Sequence, residues 1–151
     1  MADDPATGCC AGAHGCVFAK ALQARTAHCG LARRRAVGEG ELLDCGSPVA
    51  RINCATLAAL LHERARFALR LPAPGRALMH VQALKLQCGG LAALRAQLAD
   101  ADADADAGAD RDRDVHALVR QAQQQHGSLA ELPWSRIVAM LVAWQPRRRR
   151  R

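Results

Sequence analysis

Apolar residues recur at helical spacing along most of the chain. Between Val17 and Val37, Phe18, Ala21, Leu22 and Arg25 keep a three-to-four spacing with an apolar face, which predicts a helix that Gly30 breaks or kinks. Glu39 to Cys45 leaves room for one more short turn. Ser47-Pro48 supplies an N-cap and a proline for the first helical position. The helix it starts is expected to reach Arg70, with Val49, Ile52, Leu57, Leu60, Leu61, Ala68 and Leu71 as its apolar stripe. Pro72-Ala73-Pro74-Gly75 then stops it.

A further helix is predicted from Arg76 to Leu98, with Leu84, Cys88, Leu91, Leu94 and Leu98 along one side. Gly89-Gly90 interrupts it at a cost of about 2 kcal/mol relative to alanine. That cost implies that the chain needs room or a close approach there. Alternating Ala and Asp over 99–114 can bury nothing and reads as a solvated, self-repelling linker. Val115 to His126 is amphipathic and closed by Gly127. Pro133 opens a last segment, Trp134 to Trp144, with Ile137, Val138 and Leu141 apolar. Helices this short are marginal alone, so the pair is expected to dock on the preceding part or on a partner.

These elements predict an all-α protein, a compact bundle or orthogonal array of about five to six helices with an acidic low-complexity linker. The expected divisions are a flexible arm at 1–15, a cysteine-bearing helical domain at 16–98, the linker at 99–114, a helical pair at 115–145 and an arginine tail at 146–151. Composition agrees: 50% of the 151 residues are hydrophobic but only 3% aromatic, and Ala and Leu favour helix over strand.

Charge is segregated. The net charge is +7, but five of the positive charges are Arg147 to Arg151. Half of the fourteen acidic residues lie between Asp100 and Asp114. Residues 1–99 keep a mild positive balance, twelve basic groups against six acidic. The arginine tail is able to neutralise phosphates, so nucleic acid is a conceivable partner. That reading is not favoured, because few aromatic platforms accompany the tail and a disordered, solubilising terminus explains it better. Two lysines against nineteen arginines and the Ala-Asp repeats have the look of a GC-rich, bacterial-type coding sequence.

The N-terminus is acidic and lacks an apolar signal core, and Ile137 to Trp144 falls far short of the roughly 20 residues that span a bilayer. No membrane association and a cytoplasmic, reducing setting are therefore expected. In that setting seven cysteines, an odd number, do not read as disulfides.

Cys16, Cys29, Cys45, Cys54 and Cys88 fall in the part expected to fold. No Cys-x-x-Cys occurs, so the usual zinc-finger and ferredoxin spacings are absent. Glycine neighbours cysteine repeatedly, at Gly15-Cys16, Cys29-Gly30, Cys45-Gly46 and Cys88-Gly89. Glycine permits close backbone approach to a cluster. Cys45 and Cys54 flank a helix N-terminus, where thiolate is favoured, and Arg33, Arg34, Arg35 and Arg51 lie nearby. The expected ligand set is Cys16, Cys29, Cys45 and Cys54, with Cys88 as replacement. The expected cofactor is an iron–sulfur cluster, [4Fe–4S] by ligand number, with zinc as the alternative. The competing reading is simple burial, since free cysteine behaves as a small hydrophobe.

His14 and His28 sit beside Cys16 and Cys29 and are possible substitutes as ligands. His80 and Cys88 stand about 12 Å apart along a helix, too far for one ion. His62-Glu63 lacks the second histidine of a zinc-protease motif, because residue 66 is Arg. No phosphate loop, dinucleotide fingerprint or nucleophile elbow occurs, so an enzyme is not indicated. The function expected is electron transfer or redox or iron sensing with a redox or regulatory protein partner. The alternatives are a non-enzymatic helical adaptor with buried structural cysteines, or a zinc-stabilised nucleic-acid-binding protein.

Overall fold

The computed structural model describes residues 14–99 and 114–146. In chain order the elements are α1 (Ala19–Gln23), β1 (Ala32–Val37), β2 (Gly40–Cys45), α2 (Pro48–Leu69), α3 (His80–Leu84), α4 (Gly90–Ala99), α5 (Val115–His126) and α6 (Trp134–Ala143). A π-turn, Lys85–Gly89, joins α3 to α4, and a 3₁₀ turn, Leu129–Glu131, precedes α6. Most of the acidic linker, the first thirteen residues with Cys9 and Cys10, and the arginine tail beyond Pro146 lie outside the described residues.

The molecule is mostly helical but not all-α. β1 and β2 form an antiparallel hairpin with register Ala32↔Cys45 to Val37↔Gly40. The helix expected between Val17 and Val37 ends at Gln23, and the turn expected at Glu39 to Cys45 is a strand. Gly38, at φ +58°, starts a two-residue loop of the kind that suits the strand twist. A helix through Gly38-Glu39-Gly40 would lose about 1 kcal/mol at each glycine. Diagonal cross-strand pairs follow from the register. Arg34 meets Glu41 at 2.9 Å and Arg35 meets Asp44 at 2.7 Å. Backbone bonds flank the hairpin: Cys16 N–H donates to Leu43 O at 2.8 Å, and Cys45 N–H to His14 O at 2.7 Å.

α2 begins as its sequence dictates. Ser47 Oγ accepts from Ala50 N–H at 3.3 Å and Pro48 occupies the first turn. Its buried face differs from the predicted stripe: Ala50, Leu57, Leu61 and Ala65 are buried, while Val49 and Ile52 are 70% and 65% exposed. The first turns of α2 turn Ala50 and Cys54 inward instead.

α1 and α2 both end in a left-handed residue that is not glycine, Arg25 at φ +58° and Arg70 at φ +52°. In each, paired reverse bonds close the helix: Arg25 N–H to Leu22 O and Thr26 N–H to Ala21 O, then Arg70 N–H to Phe67 O and Leu71 N–H to Arg66 O. A side chain in this conformation costs roughly 1–2 kcal/mol.

One core runs through the described residues. It joins Phe18 and Ala21 of the first segment, Leu57 and Leu61 of α2, Leu91, Leu94 and Leu98 of α4, Val119 of α5, and Ile137 and Leu141 of α6. Gly90 permits the tight α2–α4 contact, since a Cβ there would meet Leu61 Cδ1 at 2.8 Å. No helix among the described residues is long and apolar enough to cross a membrane.

Candidate metal centre

Each of the first four described cysteines is placed by a different piece of chain. Gly15-Cys16 lies along the open edge of β2. Cys29 sits in the loop before β1, where Gly30 N–H donates to Asp114 Oδ2 at 2.8 Å and Val115 N–H donates to His28 O at 2.9 Å. Cys45 closes β2, and its thiol donates to Ser47 O at 3.2 Å. Cys54 stands two turns into α2. All four line one pocket. Its walls are almost wholly apolar, with Phe18, Ala32 and Ala50 among them, and the space between is about 20 Å³, enough for a single water.

The electrostatics are those of thiols sharing a site. Burial pushes Cys16 above the ordinary value of 9.0, a backbone N–H at Phe18 pulls it down, Cys29 and Cys45 push it up, and Arg51 pulls it down. Cys54 is pushed up to about 12, first by burial and then by Cys29, Cys16, Cys45 and Asp114. Both thiols are therefore protonated at neutral pH, and any metal must displace their protons.

Two further residues line the pocket: Arg51, one of the four arginines near the cysteines in sequence, and His116, which spacing along the chain did not single out. Arg51 Nε donates to Gly15 O at 2.8 Å, which fixes a cation beside Cys16. His116, on the first turn of α5, reaches the same wall. His14 and His28 do not line it, although they adjoin Cys16 and Cys29 in sequence. His116 lies beyond the acidic linker. Its only sequence signal is that it follows Asp114, whose Oδ1 caps α5 by accepting from Ala117 N–H at 3.0 Å.

Cys88 is separate from this group. It lies on the π-turn, 2% exposed, within 3.2 Å of Thr26 Oγ1. Burial raises its thiol and the Thr26 hydrogen bond lowers it.

Among the described residues, no three Cys, His, Asp or Glu side chains gather tightly enough to hold one metal ion. A zinc site needs every sulfur at about 2.3 Å from a single point. An iron–sulfur cluster spreads its thiolates over several irons, so the sulfurs surround a volume instead. No protein-family model, curated protein or solved structure matches the chain.

Proposed function

We propose that the protein binds an iron–sulfur cluster through Cys16, Cys29, Cys45 and Cys54 and serves in electron transfer or in redox or iron sensing. The supporting observation is the shared pocket: four thiols from four chain segments line one apolar space. Four ligands suit a [4Fe–4S] cluster. A bound cluster would supply one-electron chemistry. The chain supplies the thiolates, the Arg51 cation beside them and a backbone N–H to Cys16, each of which moves a cluster's potential. The open volume is smaller than a cluster, so binding is expected to part the hairpin and the Cys29 loop around it, coupling assembly to local folding. A cytoplasmic setting and a redox or regulatory protein partner belong to the same proposal.

Anaerobic reconstitution with iron and sulfide tests the reading. Visible charge-transfer absorption is expected in the full chain and is lost in Cys45→Ser. Zinc uptake without sulfide points to the tetrahedral alternative, and binding of neither metal leaves a helical protein with packed cysteines.

A further inference from the structure

A second cavity, of about 620 Å³, lies between the turn after α1, the π-turn and the end of α6. Its size falls in the range of small-molecule sites, roughly 300–1,000 Å³. Arg25 lines it together with Thr26, Cys88, Arg95, Trp144 and Gln145, and among the described residues no acidic side chain does.

Three features shape this space. Arg25 occupies the left-handed closing position of α1, where glycine is the least strained residue. The backbone there works better without a side chain, yet carries a guanidinium at the cavity. Gly89 lets Trp144 lie against the π-turn, since a Cβ at 89 would meet Trp144 Cβ at 3.1 Å and Leu141 O at 3.3 Å. The π-turn itself is an inserted residue in a helix, a distortion frequent at functional sites. Thr26 Oγ1, within hydrogen-bond reach of Ala21 O and Cys88 Sγ, ties the α1 turn to that π-turn.

We propose that this cavity binds a small anion carrying a flat apolar ring, an arene bearing a carboxylate or phosphate. The Arg25 guanidinium fork matches the oxygens of either acid group, and the Trp144 indole lines the same space for the ring to pack on. The site is independent of the thiol pocket, so neither proposal depends on the other.

Nitrogen-15 spectra of the full chain resolve the two indole N–H groups, and Trp144→Phe assigns them. Benzoate and phenyl phosphate are expected to shift the Trp144 signal saturably, with Kd of about 1 mM or tighter. The tighter of the two identifies the acid group. The Trp134 indole, bonded to Leu129 O at 3.2 Å, is expected to stay still, and neutral benzamide to have no effect. Arg25→Gly is expected to melt higher, by relief of the left-handed side chain, yet to bind at least tenfold more weakly. Arg25→Gln is expected to bind as weakly as Arg25→Gly. Arg70→Gly relieves the same strain at the end of α2 and is expected to leave binding unchanged. No saturable shift with either anion, an equal response to benzamide, or undiminished binding in Arg25→Gly and Arg25→Gln overturns the proposal.

Discussion

The five described cysteines divide into two physical kinds. Cys88 is buried in the core with its sulfur beside the Thr26 hydroxyl, whereas Cys16, Cys29, Cys45 and Cys54 line a common space. Substitution should separate the kinds. Cys88→Ala removes one of the two acceptors within reach of the Thr26 hydroxyl, leaving Ala21 O, and is expected to cost about 1 kcal/mol in urea denaturation, with reconstituted absorption unchanged. Cys45→Ser is expected to do the reverse, abolishing absorption with little loss of metal-free stability. The raised thiols also set a pH dependence for the metal-free protein. Their folded values lie above the unfolded value of 9.0, so the folded state holds these protons more tightly. That contribution is complete below pH 9 and is lost as pH rises toward about 12, the value for Cys54. Thermal melts of metal-free protein over that range should fall steadily, and a melt that rises with pH would contradict the placement of Cys54.

Among the elements, the hairpin and the capping contact after the linker do most to bring the thiols together. Its exposed ion pairs contribute little. The hairpin is held by its Gly38 loop and by the backbone bonds on each side of it. Asp114 performs two tasks at once, capping α5 and accepting from Gly30 N–H beside Cys29. Asp114→Ala is expected to cost about 1–2 kcal/mol and to speed thiol labelling at Cys29, with Asp114→Asn intermediate in both. The α2–α4 contact gives a second element-level expectation. Gly90→Ala gains about 1 kcal/mol of helix propensity but must displace Leu61, at roughly 1–3 kcal/mol of overpacking, so a net loss is expected. Combined with Leu61→Ala, denaturation should show less than the summed loss.

The same elements show where the sequence was readable. The Ser47-Pro48 start of α2 and the Gly127 end of α5 carried their meaning locally, because each depends on neighbours within a turn, whereas the cost at Gly89-Gly90 signalled a close approach without naming its distant partners, Leu61 and Trp144. The hairpin was hidden because Ala32-Arg33-Arg34-Arg35-Ala36-Val37 has no strand-like composition, and only Gly38-Glu39-Gly40 betrayed it. The inward face of α2 was misread for a related reason. Val49 and Ile52 are the more apolar residues, but the side that the hairpin and α5 cover carries Ala50 and Cys54. Local periodicity ranks residues by hydropathy, whereas burial is decided by what arrives from elsewhere.

At the scale of the molecule, one core ties α6 and α5 to α2 and α4, and the thiol pocket sits where the hairpin, α2 and the start of α5 meet. The cysteines as a group were visible in the sequence by number and by adjacent glycine. Arg51 was visible only as one of four nearby arginines, and His116 was not visible at all, because its place at the pocket is created by packing across the acidic segment. Those four thiols are proposed to act as one ligand set. Analysis of iron, zinc and acid-labile sulfide in anaerobically isolated protein tests it most directly. Iron and sulfide in matching amounts, released together on Cys45→Ser, are the expected result. Protein isolated free of iron, and refusing iron and sulfide on reconstitution, would contradict it.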